Sequence, residues 1–204
     1  KDLKDKGISL ETATTASTYY IGFNMLDSIV GGDGKKAMLL RRAISIAVDY
    51  EEYISIFANG RGVVAHSPIP PGIFGYQDSE DYYNAAIFNY ANKNIIKKSV
   101  EEAKKLLVMA GYSNGINQET GKPLVLYFEA TGAGADTYAF LNWLRKQFKK
   151  INIQLVTRVT DYNRFQEKMI NGTGQIFQWG WNADYPDPEN FLFLLYSKNG
   201  KVKF

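Results

Sequence analysis

Carboxylates crowd one stretch of the chain: "WGWNADYPDPENF", Trp179 to Phe191, carries Asp184, Asp187 and Glu189 among aromatic rings and prolines, just after an apolar run. Paired acids of this kind can hydrolyse glycosides, one as acid and the other as nucleophile or base. The spacing argues against that use here. Asp187 stands between prolines in "PDPENF", a good N-cap and helix start with Glu189 in the first turn, so both acids have a structural reason to be present. Asp184 has none. It follows Trp181 at the mouth of an apolar run and is flanked by Tyr185, where a carboxylate is expected to be partly desolvated and to seek a cation.

Three other constellations imitate chemistry. "TGAGADTYAF" places Gly132 and Gly134 between strand-like and helix-like runs, with Asp161 further on, but Thr137 stands where a dinucleotide fingerprint needs its third glycine. A glycine-rich strand-to-helix turn is the simpler reading. "GGDGKK" (Gly31 to Lys36) lacks both the spacing and the Ser/Thr of a phosphate loop and reads as a surface loop. His66 beside Ser67 lacks a G-x-S-x-G elbow, and a histidine just before "PIPPG" suits packing or a turn.

The elements that must position these residues alternate. "TYYIGF" (Thr18 to Phe23) is rich in β-formers. "KAMLLRRAISIAVD" puts Leu39, Leu40, Ala43, Ile46 and Ala47 on one helical face and leaves Lys36, Arg41 and Arg42 to solvent. A second helix starts from Asp49 as N-cap and stops near Asn59 and Gly60. Residues 61–98 hold many turn formers and many aromatics, so they are expected to form a long ordered excursion. "SVEEAKKLLVMAGY" carries Ser99 and Glu102 at capping-box spacing and Gly111 as its stop. After it, "PLVLYFEA", "ADTYAFLNWLRKQFKKI", "NIQLVTRV", "DYNRFQEKMING" and "GQIFQWGW" form a β-α-β-α-β series. Such a series predicts an α/β layer with parallel strands and right-handed crossovers, and ligands at the carboxyl ends of the strands. "GWNADYPDP" lies at such an end.

With 204 residues and 45% hydrophobic content, the chain can bury a core. Its net charge of +3 is spread along the sequence, and "RKQFKK" (Arg145 to Lys150) reads as a solvated helix end, so nucleic acid is not an expected partner. There is no cysteine, which excludes disulfides, thiolate zinc sites and cysteine nucleophiles. No cofactor or metal is expected. The opening "KDLKDKG" lacks a signal peptide's apolar core, and with no initial Met and an abrupt end at "SKNGKVKF" the chain is expected to be an excised fragment.

Taken in order, "LLRRAISIAVDYEEYI", "HSPIPPGIFGY", "SVEEAKKLLVMAGY" and "GWNADYPDPENFLFLL" resemble segments of the bacterial family 5 extracellular solute-binding proteins, which include the oligopeptide- and dipeptide-binding subunits of ABC importers. The resemblance implies a class II periplasmic-binding-protein-like lobe with a mixed, mostly parallel sheet flanked by helices. Residues 1–204 are then a single ligand-binding lobe of a larger two-lobed protein, with 1–17 leading in from the hinge side. It further implies peptide backbone pairing along Gly180, Trp181 and Asn182, an α-amino group at Asp184, and an aromatic wall that includes Tyr185. Gln178 occupies a place where some oligopeptide binders carry a basic side chain for the ligand carboxylate. The implied partners are a peptide, an ABC permease and its ATPase subunits, and the implied location is the periplasm or a cell-surface lipoprotein. The fragment itself is expected to be monomeric and not an enzyme. The same scaffold also serves sugar and metal-chelate carriers, and a Rossmann-like nucleotide-binding fragment is the reading from another class.

Overall fold

A computed structural model describes residues 3–199 apart from 10, 12, 78 and 80–82. Among them the chain runs β1 (Ser17–Phe23), α1 (Lys35–Ala47), α2 (Tyr50–Phe57), β2 (Phe88–Ala91), β3 (Asn94–Lys97), α3 (Val100–Met109), β4 (Val125–Thr131), α4 (Ala135–Lys149), β5 (Gln154–Thr160), α5 (Tyr162–Ile170), β6 (Ile176–Asn182) and a short α6 (Glu189–Leu192). Side-chain caps start most of the longer helices. Asp49 accepts the Glu52 N–H at 3.1 Å, Asp161 accepts the Arg164 N–H at 3.0 Å, and Ser99 and Glu102 close a reciprocal capping box. α1 and α4 differ, because Gly34 and Gly134 precede them with no capping side chain.

The main sheet has the order β1-β6-β4-β5. β4 is parallel to both β5 and β6, and β1 runs antiparallel along the outside of β6. This is the mixed, mostly parallel sheet flanked by helices that the family resemblance implied. The chain leaves β4 through α4 to reach β5, then returns past β4 through α5 to reach β6. Right-handed crossovers in opposite directions put their helices on opposite faces. Accordingly, Phe140 of α4 packs on Phe128 on one face, while Phe165 of α5 packs on Trp179 on the other. A reversal of this kind opens a crevice at the carboxyl ends of the strands, here between β4 and β6.

The core lies on the α4 face. Leu39, Leu40, Ala43, Ile46 and Ala47 of α1 are buried as their spacing predicts, joined by Ile44, and they pack with Leu126, Phe128, Leu144, Phe148 and Ile176. On the other face Glu129 is buried in mid-strand, where Lys168 of α5 reaches it at 2.6 Å and Arg158 of β5 at 3.4 Å. A buried carboxylate needs such partners.

Some expectations change. Arg41 is not left to solvent: it donates to the carbonyls of Val30 (2.6 Å) and Gly32 (3.0 Å) and so ties down the "GGDGKK" loop. Gln147, inside the supposedly solvated "RKQFKK", is 1% exposed; it donates to Glu52 at 2.9 Å and accepts from Lys150 at 2.7 Å, joining α4 to α2. The 61–98 stretch contains an antiparallel hairpin, β2–β3, turned by Asn92 (φ 52°) and Lys93 (φ 62°). Both turn residues are left-handed, the geometry of a two-residue primed turn, but without the Asn-Gly pair that would announce it. No described helix is long and apolar enough to cross a membrane.

Candidate functional site

The loop after β6 is organised by a residue that sequence reasoning passed over. Asn190, 4% exposed, accepts the Trp181 Nε1–H at 2.8 Å and the Asp184 backbone N–H at 3.2 Å through one side-chain oxygen. The Trp181 ring also packs edge-on against Phe193, with centroids 5.3 Å apart. Trp181 is therefore half-buried and serves to anchor the loop rather than to present an open ring. Asp187 accepts the Glu189 N–H at 2.8 Å, so it does start this turn, although the assigned cap of α6 is Pro188. The Tyr185 hydroxyl donates to Glu189 at 2.9 Å. Asp184 is exposed, contrary to the expected partial desolvation, and among the described residues its carboxylate has no ion-pair partner.

β6 carries an open edge just before this loop. The bonds flanking its ladder with β1, Asn24 N–H to Gln175 O and Ala183 N–H to Ala16 O (both 2.9 Å), set the alternation. Phe177, Trp179 and Trp181 therefore turn their N–H and C=O groups to β1, and Gly180 and Asn182 turn theirs the other way. β4 meets β6 only at Phe128↔Ile176 and Glu129↔Phe177. Beyond that point no described strand lies against this edge. Gly180 is small for a reason, since a Cβ there would sit 2.5 Å from the Tyr19 ring that lies across it.

A cavity of about 460 Å3 opens beside the fork between β4 and β6. Tyr53 and Phe57 of α2, Thr131 of β4, Asp136 and Phe140 of α4 and Gln178 of β6 line it. The rings form one packed wall, Tyr53 lying 5.3 Å from Phe57 and 5.8 Å from Phe140 between centroids.

The competing chemistries find no geometry. The "TGAGAD" turn does adjoin the cavity, with Gly132 (φ 103°) and Gly134 (φ 119°) in conformations suited to glycine, but Asp136 in the first turn of α4 puts a negative charge on the cavity lining that opposes a phosphate there. Asp187 and Glu189 are engaged in turn bonds on the same loop as Asp184, not across a cleft from it. His66 packs edge-on against Phe88 at 4.8 Å, and the Ser67 hydroxyl donates to Ile69 O at 3.0 Å, so the two do not form a nucleophile and base.

The chain is 29% identical over 162 residues to heme-binding protein A of Haemophilus influenzae, a span of 78% of this chain and 26% of that protein. It is 24% identical over 195 residues to the dipeptide-binding protein of Escherichia coli, covering 95% of this chain and 32% of that one. The solved structure of a dipeptide-binding protein from Pseudoalteromonas sp. SM9913 in complex with Met-Leu shares the fold, with a TM-score of 0.71 at 22% identity over 94% of this chain and 34% of that one. The chain thus spans between 26% and 34% of the length of these relatives. The sheet with its open β6 edge, the four ordered segments and a match along residues 1–203 agree: the chain belongs to the bacterial extracellular solute-binding proteins, family 5 Middle.

Proposed function

We propose that this chain is one ligand-binding lobe of a larger two-lobed solute-binding protein, and that a peptide adds as a strand to β6 at Gly180–Asn182. The observation that carries this reading is the open edge, where the amide groups of Gly180 and Asn182 point away from β1 with no described strand beside them. Strand addition satisfies the ligand's own amides and so tolerates many side chains. Asp184 takes the α-amino group, because it stands at the end of the same strand, on a loop fixed by Asn190, with no cation partner among the described residues. Tyr185 flanks that position, and residues 1–17 lead in from the hinge side.

The whole protein works outside the cytoplasmic membrane, in the periplasm or lipid-anchored at the cell surface, and delivers its ligand to an ABC permease driven by ATPase subunits. Binding and release, not bond chemistry, are its function. In the closed full-length protein Asp184→Asn is expected to weaken free-amine peptides by about 3 kcal/mol, since it breaks one partner of a buried ion pair. N-acetylated peptides lack the ammonium and should lose little. Equal losses for both peptide types in calorimetry would remove Asp184 from the amine role.

A further inference from the structure

We propose that the cavity beside β6 selects a basic side chain of the bound peptide, with Asp136 as its counter-charge; this rests on the peptide reading above. Among the residues lining the cavity Asp136 is the one charged group, and it makes no ion pair with any described residue. Beside it the wall carries three rings, Tyr53, Phe57 and Phe140, which pack against one another, with Ile56 next to them and the hydroxyls of Thr131 and Thr137 as further polar groups. This combination matches a long aliphatic stem that ends in a cation: methylenes lie along the rings, ring faces attract the charge, and the carboxylate receives it. An acidic side chain would meet Asp136 with no cation to offset it. A purely apolar one would take water from Asp136 and give nothing back.

The cavity's place in the fold connects it to the ligand. Gln178 lines it and belongs to the same strand as the open edge, in the side-chain row of Gly180. A peptide laid back along β6 from Asp184 therefore brings a side chain to the cavity several residues in from its amino end. The uncapped start of α4 could by itself attract an anion, but Asp136 sits in that first turn and already complements the helix dipole.

The test uses the full-length protein and a lysine scan through alanine peptides of two to five residues, with norleucine and glutamate at the same positions as controls. At one position lysine should bind about tenfold more tightly than norleucine, a ratio typical of a partly desolvated cation site. Asp136→Asn should bring that ratio close to one, Asp136→Glu should restore it, and Asp136→Lys should shift the preference to glutamate. The proposal is overturned if no position favours lysine, or if the preference survives Asp136→Asn. Failure of every unsubstituted alanine peptide to bind would instead overturn the peptide reading itself, and this inference with it.

Discussion

Asn190 holds two donors that no other described side chain serves, the indole N–H of Trp181 and the backbone N–H of Asp184. Replacing it with leucine of similar size leaves both part-buried donors without that partner. Asn190→Leu is expected to reduce stability by about 2–3 kcal/mol, near the sum of two lost bonds plus the burial of unpaired groups. Urea unfolding measures the loss, and unchanged unfolding would mean that the loop is held elsewhere. At this scale the sequence was partly legible. The Asp187 turn followed from proline and helix-start chemistry, which are local. Asn190 and Gln147 were not legible, because a buried amide inside a polar run is chosen by what lies across from it in space. Asp184 stood out only as an acid without a local reason to exist.

At the scale of the elements, β1 and β6 form a ribbon in which glycines face rings. Gly180 lies opposite Tyr19, Gly22 lies opposite Phe177, and in each pair the ring occupies the space a Cβ would need. Gly180→Ala forces the Tyr19 ring aside and is expected to reduce stability by about 1–2 kcal/mol through overpacking. Tyr19 is 66% exposed and its loss opens the space, so Tyr19→Ala should relieve most of that penalty. A double-mutant cycle reads the coupling directly; additive effects would show that the two residues do not contend. The β-α-β-α-β layer was legible because its periodicities are long and glycine or Asp161 marks where its helices start. The β2–β3 hairpin was hidden because its turn uses Lys93 at a positive φ, which no residue pattern advertises. The divergence of β4 from β6, on which the site depends, is a tertiary property beyond any window of sequence.

At the scale of the molecule, the function proposed above makes this chain one wall of a binding site. In isolation Asp184 lies in water, where an ion pair contributes only about 0–1 kcal/mol. That is too little to offset the ordering of a flexible peptide. The 204-residue chain is therefore expected to fold on its own core yet bind mixed peptides far more weakly than the full-length protein; micromolar binding by the isolated chain in a calorimetric titration would show that a second wall is dispensable. The central claim, strand addition to β6, is tested most directly by residue-resolved hydrogen exchange of the full-length protein with and without a mixed tripeptide pool. The amides of Trp179 and Trp181 already bond to β1 and should be slow in both states, whereas those of Gly180 and Asn182 should be fast in the free protein and become protected on binding. Peptide binding that leaves Gly180 and Asn182 exchanging as before would contradict the account.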